Sequence, residues 1–303
     1  MQLIEMPIST IHMTTSHFRI EKSLSPFRIV FFIATKFVMR IHRRIVGPDN
    51  TFSLCTQQKT NYLNASRMDG RRPEEIRPVF AKTQAVSQAN GSAYLEAGNL
   101  KLICSVYGPK EPRGNTADPF KAVLATDFKF APFANKSKRT AYFKDAQELE
   151  FSSILAQALA PAILLSEYPK SVIEVSVLVL ENDGSMACLA AAITCASMAL
   201  VDAGIQMLDV VTACSAASYS PSPNASTIYL DPTSFEEESR QDTGSTLIAY
   251  MPSLNEVTHV VHAGELLPRV CSKAVQHCID ACSQIHALIK ELLVSESHHH
   301  VDH

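Results

Sequence analysis

The sequence predicts a mixed α/β (α+β) fold, and three observations carry that prediction. Short strand-like runs lie between turn signals, among them "GSAYLEAG", "LKLICSVYGP", "STLIAYMP" and "EVTHVVHAG". Two longer stretches with helical character are divided by one strong apolar run, "SVIEVSVLVLEND". A third helical stretch, from about Leu267 to Leu293, closes the domain.

Residues 40 to about 68 are polar, mixed and without period, so 1–68 reads as an N-terminal extension expected to be disordered. Order is expected over 69–294, beginning within "RMDGRRPEEIRPVF". The first hairpin joins "GSAYLEAG" to "LKLICSVYGP" through the turn signal Gly98-Asn99. "KAVLATDFKFAPF" follows as a strand after a loop from Gly114 to Pro119. Phe151, Leu155, Leu159 and Ile163 have helical spacing, with a kink expected at Pro161. The run Ser171–Asp183 is apolar on both faces in its centre and is expected to be covered on both. "GSMACLAAAITCASMALVDAG" is a helix whose Ala, Ser and Cys permit close packing, and Gly204 can end it. "LDVVTACSAASYS" and "STIYLDP" are strands, and "STLIAYMP" and "EVTHVVHAG" form a hairpin. In the closing helix Ala274, Cys278, Ala281, Ile285, Leu288 and Leu292 form the core stripe. Residues 295–303 read as a loose polar tail.

The chain of 303 residues is long enough to bury a substantial core, and 46% of it is apolar. Its formal net charge of −3 gives no bulk attraction for nucleic acid, so any such role must come from a local patch. The eight cysteines contain no C-x-x-C pair and mostly sit in apolar runs, which favours buried thiols over a zinc site or disulfide framework. The segment "FRIVFFIATKFVM" is too short and too charged, with Arg28 and Lys36, for a membrane span. It also lies late for a signal peptide and lacks a clear cleavage site. Residues 1–38 are therefore expected to be dispensable, with "MRIHRRIVGPDN" at Met39 reading as an independent start; a transit peptide is the weaker alternative. No membrane partner and no cofactor is expected. The sequence contains no P-loop, G-x-S-x-G or G-x-G-x-x-G.

The stretch "FEEESRQDTGSTLIAYMP" places Glu236, Glu237 and Glu238 in a row and Asp242 shortly after, ahead of an apolar run. Two readings compete: a metal or acid–base site, and a solvated charged loop before a strand. The loop is the favoured expectation.

"RMDGRRPEEIRPVF", "SQANGSAYLEAGNLKLICSVYGPKEPR", "DFKFAPFA", "YPKSVIEVSVLVLENDGS" and "MALVDAGIQMLDVV" together resemble the RNase PH family, in order and at family spacing, from about Arg67 to Leu293. The resemblance implies an RNase PH-like fold of two βαβ-type halves (ribosomal protein S5 domain 2-like) with a closing C-terminal helix. Family members assemble as a hexameric ring around an RNA channel, and active ones shorten RNA from its 3′ end by phosphorolysis. That chemistry needs a cradle that neutralises phosphate and an acidic pair that holds magnesium.

By the same resemblance both elements are broken. The basic-plus-hydroxyl pair of active relatives falls on Gln147 and Glu148, where a carboxylate is expected to repel phosphate. The acidic pair falls on Ser239 and Ser245. No catalytic and no metal-binding residue is therefore expected. RNA contact is expected from Lys110 and Arg113 and from Lys136, Lys138 and Arg139, in loops that the family places near the channel mouth; such residues bind phosphate without reading sequence. The implied function is a non-catalytic structural subunit of the RNA exosome ring in the nucleus, nucleolus and cytoplasm. Its implied partners are other RNase PH-like ring subunits, the RNA-binding cap subunits and RNA. The alternative is a diverged phosphorolytic 3′-to-5′ exoribonuclease.

Overall fold

Alternating burial along successive strands builds the first sheet, which presents one face to helices and, among the described residues, leaves the other uncovered. The computed structural model describes residues 67, 69–112, 118–135, 144–222, 225–239 and 244–301. All of them belong to one compact unit, Lys59–His303. The expectations for residues 1–66, including the dispensable segment, lie outside the described residues, as do Arg113 and the loop carrying Lys136, Lys138 and Arg139.

The first sheet contains β1 (Val79–Thr83), β2 (Gly91–Ala97), β3 (Leu100–Lys110), β4 (Val123–Phe130) and β5 (Val172–Glu181), in the order β1-β2-β3-β5-β4. Its pairs are antiparallel except β4 with β5, which run parallel and are joined through helix α1 (Ala146–Leu159) in a βαβ unit. Helix α2 (Ser185–Asp202) follows. The second sheet, antiparallel throughout, has the order β7-β6-β8-β9, from β6 (Thr212–Ser222), β7 (Ala225–Leu230), β8 (Gly244–Met251) and β9 (Glu256–Ala263). A short helix α3 (Ser234–Ser239) links β7 to β8, and α4 (Pro268–Val301) closes the domain.

Helix α2 is the shared centre, packing on β2 and β3 of one sheet and on β6 and β8 of the other. Its Ala, Ser and Cys side chains let both sheets approach, and Leu189, Ile193, Met198 and Leu200 fill the space between them. By length and apolar composition α2 could cross a membrane, yet 72% of it is buried within this fold. Cys214, Ala216, Ile248 and Tyr250 on the other face of the second sheet meet Ala274, Ala281 and Cys282 of α4. Seven of the cysteines are described; all are free thiols and only Cys271 is not buried.

Several expectations change. Pro161 does not kink a longer helix: α1 ends at Leu159, two residues earlier, because proline offers no N–H to continue the ladder. In β5, Ile173, Val175, Val177 and Val179 are buried, but among the described residues no element covers the other face, where Leu178 is 39% exposed. Leu288 leaves the core stripe at 55% exposure; the four-residue step from Ile285 gives its place to Ile289. The closing helix continues to Val301, through most of the segment expected to be a loose tail. Strand β1 has no clear signal in the sequence: only one of its five residues, Thr83, is buried.

Candidate functional site

The N-terminus of α2 needs acceptors that its own sequence does not supply. Gly184, at the N-cap position, has φ 123° and no side chain to cap with. A Cβ there would lie 2.7 Å from the carbonyl oxygen of Pro232, so glycine is required by conformation and by space. The missing cap comes from α3. Glu237 accepts from the Ser185 N–H at 2.8 Å and from the Met186 N–H at 3.4 Å, so a carboxylate from a distant element sits on the positive end of the central helix.

The neighbouring glutamate does different work. Glu236 is buried against Arg67, whose Nε and second terminal nitrogen donate to its two oxygens at 2.9 and 3.1 Å. The Arg67 guanidinium also donates to the carbonyls of Arg72, Glu75, Leu230 and Asp231 and lies over the Tyr229 ring. Arg67, expected to fall in the extension, is thus part of the folded unit. Arg77 completes the cluster: its Nε donates to Asp231 Oδ2 at 2.7 Å, and a terminal nitrogen reaches Asp183 Oδ2 at 3.3 Å. Ser234 Oγ donates to Asp183 Oδ1 at 2.9 Å.

Glu236 and Glu237 therefore form a clamp within the fold, not the solvated loop expected from sequence. Among the described residues no group of His, Cys, Asp and Glu is arranged to hold a metal ion. The side chain of Glu238, and Asp242 altogether, lie outside the described residues. Burial opposes ionisation of both described glutamates, with opposite outcomes. For Glu236 the Arg67 hydrogen bond, the Thr233 N–H and the charges of Arg67 and Arg71 together outweigh burial, and its pKa falls below the usual carboxylate value. For Glu237 burial prevails over the two backbone donors and the Arg77 charge, and its pKa rises.

The positions assigned to phosphate by resemblance also differ from expectation. Glu148 does not face outward to repel an anion: it is 2% exposed, and its oxygens accept from the N–H groups of Phe130 and Asp145 at 2.9 and 3.1 Å. It forms a capping box with Asp145 while tying α1 to β4. Gln147 points the other way, and its amide donates to Ser185 Oγ at 2.8 Å, against the end of α2 that Glu237 caps. Ser245 lies in β8, opposite Ala217 and Ala263, and Ser239 ends α3. Lys110, the described member of the basic set, pairs with Glu174 at 2.5 Å.

Sequence reasoning missed Arg67, Arg77, Asp183, Asp231 and the role of Glu237. Their common signal is position: each charged residue lies next to an apolar strand or helix, in "RMDGRRPEEIRP", "ENDGS", "YLDP" or "SFEEE".

Comparison with known proteins agrees with this architecture. Residues 75–206 match the family described as "3′ exoribonuclease family, domain 1". The chain is 38% identical over 269 residues to the human exosome complex component MTR3, covering 84% of this chain and 94% of that protein. It is 34% identical to the exosome complex component Rrp41 of Cenarchaeum symbiosum, over 76% of this chain and 91% of that one. Among solved structures, rice Rrp46 superposes with a TM-score of 0.64 at 24% identity, covering 74% of this chain and 98% of its own. A chain of the Archaeoglobus fulgidus exosome with RNA bound to the active site gives 0.60 at 21% identity, with coverage of 72% and 91%. These two likenesses concern the fold, whereas the sequence identities concern descent. By those sequence identities the chain belongs to the RNase PH family of 3′ exoribonuclease-type proteins.

Proposed function

We propose that this chain is a non-catalytic subunit of an exosome ring, serving 3′-to-5′ RNA processing and degradation by helping to build the RNA channel. One observation carries the reading: the end of α2 beside Gln147 is occupied by the chain's own Glu237 carboxylate. Helix N-termini attract oxyanions through their free N–H groups and dipole. Here an arriving phosphate would find those N–H groups already taken by the Glu237 side chain. Arg67 and Arg77, the guanidiniums of the same cluster, are engaged with Glu236, Asp183 and Asp231. Gln147, Ser239 and Ser245 supply neither the cation nor the magnesium-binding carboxylates that phosphorolysis requires.

The partners of this reading are neighbouring RNase PH-like ring subunits, with RNA-binding cap subunits above them, in nucleus, nucleolus and cytoplasm. Support comes from MTR3 and Rrp41, both exosome complex components by name. The uncovered face of the first sheet also suits an assembled protein, since Phe80 and Leu178 are exposed on it. RNA contact falls to Lys110, Arg113, Lys136, Lys138 and Arg139. Lys110 would have to exchange Glu174 for phosphate.

The test is phosphate-dependent turnover. Purified chain, alone and co-expressed with an RNase PH-like ring subunit that lacks its own activity, is incubated with single-stranded RNA, magnesium and inorganic phosphate. No nucleoside diphosphate is expected above background. Release that disappears when phosphate is omitted would establish the diverged exoribonuclease instead.

A second measurement concerns the basic loop. Replacing Lys136, Lys138 and Arg139 together with Ala should weaken RNA binding by the assembled ring about equally for all sequences. It should also flatten the dependence of affinity on salt, because fewer counterions are released. Unchanged affinity and salt slope in an intact ring would return these residues to ordinary surface.

A further inference from the structure

Where α2 passes between the sheets, the packing leaves a cavity of about 40 Å³, walled by small side chains including Ala97, Ala187, Ala190 and Ala213. Its lining is mostly apolar, but Ser215 and Asp231 also border it. The Ser215 hydroxyl is buried to 1% exposure and has no hydrogen-bond partner among the described residues. A buried hydroxyl left unpaired carries a desolvation cost that native proteins avoid.

Asp231 has acceptor capacity remaining on the same cavity. A carboxylate offers about four lone-pair sites. Three are used by Arg77, through its backbone N–H and Nε on Oδ2 and a terminal nitrogen on Oδ1. We infer that this cavity is an internal hydration site, in which a water molecule hydrogen-bonds to Ser215 Oγ and donates to Asp231 Oδ1. A water needs roughly 10–15 Å³ of such space and two to four polar partners, whereas an organic ligand needs several hundred Å³. The water joins β6, in the second sheet, to the carboxylate that holds Arg77.

The test uses the whole chain, wild type and Ser215→Ala, with two readings. Wild-type protein should show nuclear Overhauser cross-peaks between a long-lived water and protons of Thr194 or Ala213, which line the same cavity. In Ser215→Ala these should vanish, and the melting temperature should fall by about 2–4 °C. Absence of the wild-type cross-peaks, or their persistence in the variant, overturns the assignment. So does a rise in melting temperature, which is what removing an unpaired hydroxyl from a dry cavity produces.

Discussion

Replacing Arg77 with Ala is expected to lower the unfolding free energy by about 3–5 kcal/mol, the usual consequence of deleting one partner from a buried ionic cluster. The size follows from what is left behind. Asp183 is 4% exposed and Asp231 borders the same interior, and both rely on this guanidinium. Burial alone would weaken the charge of Arg77, but the hydrogen bond and charge of Asp231, with the charges of Asp183 and Asp69, raise its pKa overall. Arg77→Lys should recover only part of the loss, since an ammonium lacks the planar fork that engages both oxygens of Asp231. Urea titration followed by circular dichroism measures both variants. A loss below about 1 kcal/mol for the alanine variant, the range of an exposed pair, would show that the cluster is not closed to solvent.

Acid acts on the companion pair in the same direction. The pKa of Glu236 is lowered in the folded chain, so its contribution is complete above the unfolded glutamate value, near 4.5, and fades as pH falls through the lower folded value. Glu237 runs the other way. Its raised pKa means that its contribution is complete below the unfolded value and is lost as pH rises through the folded one. Adjacent residues in one helical turn thus bias stability oppositely across the acidic range.

Gly91→Ala should be nearly as damaging, with a loss on the order of 3 kcal/mol. Gly91 opens β2 against the last turn of α2, where an added Cβ would overlap the Ala203 nitrogen and the Ala199 carbonyl oxygen. Backbone atoms of a buried helix cannot rotate aside as a side-chain tip can. Moving the strand instead would break the bond from the Ser92 N–H to Asp202 Oδ2, 2.8 Å long, which fixes β2 to the helix end. Thermal melting of the variant is the measurement, and a wild-type transition temperature would contradict this approach of strand and helix.

Elements whose determinants are local were legible in the sequence. The hairpin through Gly98-Asn99, helix α2 and the pairing of β8 with β9 follow from turn chemistry and apolar runs, and all three are present. Elements defined by remote partners were not. The three glutamates of α3 look like a solvated run because the residue that neutralises Glu236 is Arg67, 169 positions earlier. That Gln147 and Glu148 carry no cation is plain from the sequence, but that Glu148 turns inward to Phe130 and Gln147 outward to Ser185 is not. The faces of β5 differ from expectation for a related reason: Leu178 and Leu180 make the second half of the run apolar on both faces, yet among the described residues no layer lies over them.

The place of α2 between both sheets has a consequence for how the chain can be divided. The matched family domain ends at residue 206, just past this helix, as though the first half were a self-sufficient module. Yet a cut there would strip β6 and β8 of the layer that closes one face, and would expose on α2 the apolar side that those strands cover. It would also separate Ser185 from Glu237 and Arg77 from Asp231. Sequence relatedness and mechanical independence therefore draw different borders. The interior belongs to neither half, and the smallest piece able to close it spans both.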